Sequence, residues 1–393
     1  MSVSFTSRLL RRRAFAQFSN RNFSSSSRAC ADQVRIIEVG PRDGLQNEKT
    51  SIPVETKIEL INRLARTGLN TIEAGSFVHP KWVPQMAASD QVLSSILKSP
   101  PSSQLPITYQ WLLPNSKGLE NYFKVMNTSP SAPDGYPTPP PSPKMDDGPA
   151  LNTSSQDPNA MPATTSGVDS MSTSRTEGGQ RHEVSIFMAA TESFSKKNTN
   201  CSIQESLDRF RPLMAESRKQ NYPVRAYISV ALGCPFEGAV DPHKVAEIAT
   251  DLMEMGADEV SVADTTGMGT APATRKLLQT LKEAGIRNED IAMHFHDTFG
   301  QALINTMVSL DHGIRAFDSA VGGLGGCPYS PGATGNVATE DLVYSLHTLG
   351  ADTGVDLDEV SRIGDWITGQ IGKSNSSSAG KATLARLKRE GQA

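Results

Sequence analysis

From Val34 onward, short apolar runs alternate with longer stretches whose apolar residues recur at helical spacing. The short runs predict strands over Val34–Val39, Thr71–Ala74, Ile107–Leu112, Val184–Met188, Val224–Ala231, Glu259–Val262, Ile291–His294 and Ala316–Val321. Helices are predicted over Val54–Thr67, Asn115–Met126, Ser202–Glu216, His243–Met255, Ala273–Ala284 and Ala302–Gly313. Local signals agree with this reading. Ser202-x-x-Glu205 reads as a capping box, Asp241-Pro242 as a cap followed by a first-turn proline, and Gly68, Gly256 and Gly285 stand where helices should end. Strand starts recur at the length of one βα unit, and eight such units predict an α/β chain folded as a (βα)8 TIM barrel. An open, doubly wound parallel sheet is the competing arrangement.

One interval breaks the rhythm. Between the third and fourth strands, Thr128–Gly179 holds ten prolines and sixteen serines or threonines, with only Leu151 and Val168 as large aliphatic residues apart from methionine. Pro137-Thr138-Pro139-Pro140-Pro141-Ser142-Pro143 cannot sustain a helix or a sheet ladder. Such a segment buries too little apolar surface to offset its ordering entropy, so residues 128–179 are expected to be a disordered insert. It joins a helix to the next strand and should leave from the bottom of the barrel, away from the mouth where active sites form.

The first 31 residues are of another kind. Arg8, Arg11, Arg12, Arg13, Arg21 and Arg28 stand among serines, with no acidic residue before Asp32. This reads as a mitochondrial transit peptide, with a cleavage site after Phe23 and the matrix as destination; a basic tail that binds something anionic is the alternative. The expected domains are thus residues 1–31 as leader, 32–355 as barrel and 356–393 as a C-terminal helical extension. Its end, Ser374–Ala393, is polar and basic and is expected to be partly disordered. A net charge of −4 gives no reason to expect nucleic acid, and no apolar run suggests a membrane span. Four cysteines in 393 residues do not make a disulfide framework.

Candidate chemistry clusters at predicted strand ends. In Met293-His294-Phe295-His296-Asp297 the two histidines point to the same side of a strand, a geometry that suits one divalent metal. The first strand runs into Gly40-Pro41-Arg42-Asp43-Gly44, a constrained turn that should fix Arg42 and Asp43 together. Asp43 offers a hard carboxylate oxygen to a metal and Arg42 a planar cation to a substrate oxygen. Glu73 closes the second predicted strand, Asp264 lies just past the sixth, and Asn336 ends the glycine-rich loop after the eighth. Asp43, His294 and His296 would give two histidines and one carboxylate with open positions. After the eighth strand, Gly322 to Asn336 is glycine-rich but is neither a dinucleotide fingerprint nor a P-loop. It reads as a mobile lid carrying Cys327, a candidate proton donor or nucleophile.

Gly40 to Glu48, Ser76-Phe77-Val78 with Lys81 to Met86, His294 to Asp297, and Gly322 to Asn336 together resemble the hydroxymethylglutaryl-CoA lyase family, mitochondrial type. The likeness spans about Val34 to Val355 apart from the insert. It implies a metal-dependent barrel lyase that splits 3-hydroxy-3-methylglutaryl-CoA into acetyl-CoA and acetoacetate in leucine breakdown. Asp43, His294, His296 and Asn336 are then the expected ligands of Mg or Mn, with Zn also compatible. Arg42 would face the enolate oxygen, Glu73 and Asp264 would be acidic groups needed for turnover, and Cys327 the lid thiol. The base would be His294 or Asp264 acting through water, and the substrate-binding set is Arg42, Gln46 and Ser76. The resemblance also implies an acyl-CoA substrate and a homodimer, with neither nucleic acid nor membrane as partner. Animal members carry a later cysteine and a peroxisomal tripeptide; here no cysteine follows Cys327 and the chain ends Glu390-Gly391-Gln392-Ala393, so neither a thiol switch nor a peroxisomal form is expected. A Claisen-condensing synthase on the same barrel, or a barrel acting as a scaffold, are the other readings. The first lacks the cysteine loop and usually carries an extra domain; the second does not explain so many intact polar residues.

Overall fold

The computed structural model describes residues 32–128, 176–177, 180–326 and 335–392. The expected leader, residues 129–175 and 178–179 of the expected insert, and the loop segment 327–334 with Cys327 lie outside the described residues. Eight barrel strands form: β1 (Arg35–Glu38), β2 (Thr71–Ser76), β3 (Thr108–Leu112), β4 (Gln180–Ala189), β5 (Val224–Ser229), β6 (Glu259–Asp264), β7 (Ile291–Phe295) and β8 (Ala316–Ser319). Each pairs in parallel with the next, and β8 pairs in parallel with β1, so the sheet closes on itself. The fold is a TIM barrel, and the open sheet is excluded. The fourth strand starts at Gln180 rather than Val184: Arg181, His182 and Glu183 already pair in parallel with β3, and Thr176–Glu177 pairs antiparallel with Gln180 and Arg181.

Alternation along each strand separates a helix-facing side from an interior side. In β5, Val224, Ala226 and Ile228 are wholly buried apolar residues, whereas Arg225 and Tyr227 interleave with them. Arg225 reaches Gln110 on β3 and Asp318 on β8, which places it inside the barrel. Around the strands stand α1 (Val54–Leu64), α2 (Ser89–Lys98), α3 (Ser116–Thr128), α4 (Glu192–Thr199), α5 (Ile203–Lys219), α6 (Pro242–Glu254), α7 (Ala271–Glu283), α8 (Ala302–Asp311), α9 (Thr339–Thr348), α10 (Leu357–Gln370) and α11 (Ser378–Arg389). The Ser202–Glu205 capping box and the Asp241 cap are present. Gly68, Gly256 and Gly285 all take positive φ at helix ends. No described helix is long and apolar enough to cross a membrane.

Two expectations are corrected. The span 128–179 is trimmed at both edges, since Thr128 is the last residue of α3 and Thr176–Glu177 form a strand. The tail expected to be partly disordered instead folds as α11. Its polar composition hides a stripe of Gly380, Thr383, Leu384 and Leu387 that is buried. Its cap, Ser377, accepts from Gly380 N–H and donates to Asp341 Oδ1 of α9 at 2.8 Å. Asp341 Oδ1 also accepts from Ala379 N–H at 2.6 Å. Neighbour α10 is fixed to the barrel wall by Trp366, whose ring lies 4.2 Å under the Arg63 guanidinium.

The chain leaves the described barrel at the end of α3 and returns at the start of β4, the end of the strand opposite the mouth. Removing residues 131–174 should therefore leave specific activity within about twofold of the intact chain, since loop length is a weak thermodynamic lever. A folded deletion protein with a tenfold or greater loss of kcat would contradict this topology.

Candidate metal centre and active site

Every candidate that the sequence named and the structure describes lies near one end of the strands. After β1, Gly40–Gly44 forms a single π-helical turn, with Gly44 N–H donating to Val39 O at 3.1 Å. Close packing demands glycine there: a Cβ on Gly44 would come within 2.8 Å of Leu324 Cβ. The turn presents Arg42 and Asp43 to the barrel axis. Arg42 Nη1 meets Asp43 Oδ1 at 2.8 Å, Arg42 Nη2 meets Glu73 Oε2 of β2 at 2.7 Å, and the guanidinium lies 5.3 Å from the Tyr227 ring centroid. Glu73 is itself fixed by Ser185 Oγ, which donates to its Oε1 at 3.2 Å.

On β7 and just beyond it, His294 and His296 do face the same way, with ring centroids 5.3 Å apart. One ligand atom from each of Asp43, His294 and His296 fits within a 4.8 Å span. Asn336 joins them: its Nδ2 donates to Asp43 Oδ2 at 2.9 Å and to Leu324 O at 3.0 Å, and it bridges to His296 through the backbone. His296 Nδ1, Asn336 Oδ1 and Asp264 Oδ1 are buried and make no hydrogen bond among the described residues. Buried polar atoms left without partners are costly, and three of them around one carboxylate–imidazole set are what a cation or a ligand would satisfy. The donors, carboxylate and amide oxygen with two imidazole nitrogens, suit a divalent metal.

Electrostatics agree. Burial alone would push the Asp43 carboxyl up, but Arg42, His294, His296 and the Asn336 amide together hold it below the usual carboxylate range. Burial pushes His296 down to about 4, helped by His294, so its ring is neutral and free to donate a lone pair. Burial raises Asp264 to about 6 even though Gly269 N–H donates to its Oδ2 at 2.9 Å. Burial works against the Arg42 charge, yet Glu73 and Asp43 outweigh it and keep the guanidinium ionised.

The substrate candidates fare unequally. Gln46 is half-buried and donates to Asp43 Oδ1 at 3.3 Å, beside the cluster. Ser76 is buried, and its hydroxyl is committed to a turn in which it accepts from Val78 N–H at 3.3 Å. Cys327 lies outside the described residues, although both flanks of its loop are tied to the mouth. Gly326 O accepts from Asn47 Nδ2 at 2.7 Å and Gly335 O from Asp297 N–H at 3.2 Å. The sequence reading missed Asp318, Arg225 and Tyr227 beneath the cluster. An aspartate in the middle of Ala316-Phe317-Asp318-Ser319 and an arginine alternating with apolar residues in β5 were the available signals.

Comparison with known proteins follows the same line. The family model described as HMGL-like matches residues 33–128 and 156–367. A Pseudomonas aeruginosa protein named 3-hydroxy-3-isohexenylglutaryl-CoA/hydroxy-methylglutaryl-CoA lyase is 45% identical over 90% of this chain and 98% of its own. The Rattus norvegicus protein named hydroxymethylglutaryl-CoA lyase, mitochondrial, is 43% identical, with 92% of each covered. The crystal structure of hydroxymethylglutaryl-CoA lyase from Pseudomonas aeruginosa superposes with a TM-score of 0.72 at 43% identity, covering 91% of this chain and 99% of that one.

The loop that follows β8 is anchored at its base by two buried carboxyls. Val321 N–H donates to Glu38 Oε1 at 3.0 Å, and Gly322 N–H to Glu340 Oε2 at 2.9 Å. Burial pushes Glu38 up to about 7 and Glu340 up to about 8. A carboxyl whose pKa is higher folded than unfolded stabilises fully below its unfolded value, and that stability is lost as pH rises through the folded value. The melting temperature of the wild-type chain should therefore drop relative to Glu340→Gln as pH rises from 5 to 8, by several degrees. A difference that stays constant across this range would show that Glu340 does not change protonation there.

Proposed function

The chain belongs to the HMGL-like family, and from that premise we propose that it cleaves 3-hydroxy-3-methylglutaryl-CoA into acetyl-CoA and acetoacetate. It is a carbon–carbon lyase. The observation that carries the reading is the convergence of Arg42, Asp43, Glu73, His294, His296 and Asn336 on one barrel mouth. A synthase or a scaffold gains no support from these findings.

A divalent cation held by Asp43, His294, His296 and Asn336 would act as a Lewis acid, making the substrate's tertiary hydroxyl more acidic. The donor set suits Mn at least as well as Mg. His294 has one ring nitrogen already engaged, Nδ1 with Asp318 Oδ2 at 3.1 Å. If its other nitrogen is a ligand, none is left for base work, and Asp264 becomes the group that takes the hydroxyl proton. The resulting alkoxide collapses to the ketone of acetoacetate as the adjacent carbon–carbon bond breaks, and the bond's electron pair passes into the thioester enolate of acetyl-CoA. Arg42 faces that enolate oxygen. Its charge is pinned by Glu73 and Asp43 in a water-poor pocket, where such stabilisation is worth most. Glu73 keeps Arg42 aimed, Gln46 beside Asp43 is placed to meet the acyl group, Ser76 would act only through the turn that its hydroxyl holds, and the Cys327 thiol would return a proton to carbon.

Leucine breakdown in the mitochondrial matrix is the setting we propose, on the strength of the arginine-rich, acid-free first 31 residues and of the mitochondrial relative. We propose a homodimer as the working state.

The reading is tested by incubating the chain with 3-hydroxy-3-methylglutaryl-CoA, with and without Mg or Mn, beside Cys327→Ala. Acetoacetate released only with metal, and nearly abolished in Cys327→Ala despite normal metal uptake, is the expected result. A folded, metal-loaded protein that releases none would overturn the activity, and a Cys327→Ala enzyme with normal kcat would remove the thiol from the mechanism.

A further inference from the structure

Below the metal ligands lies a chain of buried polar groups that the proposed reaction does not use. Arg225 is completely buried, and its Nη2 meets Asp318 Oδ1 at 2.6 Å. It also meets Glu259 Oε1 at 2.9 Å and donates to Gln110 Oε1 at 3.2 Å. The other oxygen of Asp318, Oδ2, accepts from Ser261 Oγ at 2.9 Å and lies 3.1 Å from His294 Nδ1. His294 and Asp318 are direct register partners on β7 and β8.

We propose that Asp318, braced by Arg225 and Ser261, is a positioning residue for the metal centre: it fixes the His294 ring with its proton on Nδ1 and leaves Nε2 for the cation. This rests on the reading of His294 as a ligand. The argument is one of geometry and hydrogen-bond polarity. Asp318 Oδ1 accepts from Arg225 Nη2 and Oδ2 accepts from Ser261 Oγ, so the carboxylate is placed as an acceptor and the His294 Nδ1 that faces it is the donor. Neutral imidazole has one such hydrogen, and the opposite nitrogen then presents its lone pair. Both Asp318 oxygens are held from separate strands, so the carboxylate cannot swing away and the ring cannot rotate without breaking that bond. A ring free to turn, or protonated on Nε2, would have to be reset before it could bind a metal. Carboxylate partners of this kind are worth roughly 10- to 100-fold in metal affinity. Burying Arg225 is costly unless it is matched, and matching Asp318 is the contact that links it to the mouth.

Two measurements test this. Long-range proton–nitrogen correlation spectra of the histidine-labelled, metal-free chain should show His294 as the Nδ1–H tautomer. Independently, Mn2+ titration followed by electron paramagnetic resonance should give a Kd that is 10- to 100-fold weaker in the charge-neutral double variant Arg225→Gln/Asp318→Asn. Its Co2+ absorption spectrum should also change, because the ring orientation is no longer fixed. Arg225→Gln alone, which keeps the carboxylate, should lose less affinity than the pair. An Nε2–H tautomer in the wild type would overturn the proposal, and so would a folded double variant that binds Mn2+ within twofold of wild type with an unchanged Co2+ spectrum. If the double variant does not fold, the tautomer decides. A wild-type chain that binds no Mn2+ would instead remove the metal-centre reading beneath it.

Discussion

Taking an ionised group out of water costs several kcal/mol unless partners of opposite charge come with it, and the interior of this barrel is arranged around that constraint. Two buried arginines each sit between carboxylates. Arg42 lies between Asp43 and Glu73 at the mouth, and Arg225 lies between Asp318 and Glu259 in the layer below. Tyr227 stands between them, with both guanidinium carbons about 5 Å from its ring centroid, 5.3 Å for Arg42 and 4.9 Å for Arg225. The carboxylates that neutralise the arginines are thereby aimed. Asp43 points to the histidines, and Asp318 holds one of them. Charge compensation that the fold needs for its own sake also sets the direction of the groups that do chemistry.

Parallel closure supplies the rest. Because all eight barrel strands run the same way, the residue that ends each strand comes to a common rim, and side chains far apart in sequence meet there. Asp43 and Asn336 are separated by 293 positions and touch at 2.9 Å. The C-terminal helices reinforce the arrangement from outside. Ser376 N–H donates to Gly322 O at 3.0 Å, and Asn375 Nδ2 reaches Glu340 Oε1 at 3.3 Å, so the extension clamps the base of the loop that follows β8.

Much of this could be read in the chain before any coordinates. Short apolar runs set between stretches of helical spacing found all eight strands, and the glycine and proline signals around Gly40–Gly44 correctly announced a constrained turn. The pairing of His294 with His296 followed from alternation alone. Helix α2 was passed over although Val92, Leu93 and Ile96 stand at helical spacing and bury against the barrel, whereas α4 escaped because its sequence, rich in serine and lysine, carries little apolar periodicity beyond the buried Phe194. Helix α11 escaped for the same reason, its apolar stripe being only a few residues wide. Arg225 and Asp318 were passed over as strand residues because their role depends on which strands become neighbours. That information lives in the closed sheet, and a local pattern does not contain it.

The central claim is that one mouth of the barrel gathers a metal centre from β1, β7 and the loop after β8. The most direct measurement is a crystal structure of the Mn-loaded chain with diffraction recorded across the manganese absorption edge. The account predicts one anomalous peak within bonding distance, about 2.0–2.3 Å, of oxygens from Asp43 and Asn336 and nitrogens from His294 and His296. A peak bound elsewhere on the chain, with these four side chains left uncoordinated, would contradict it.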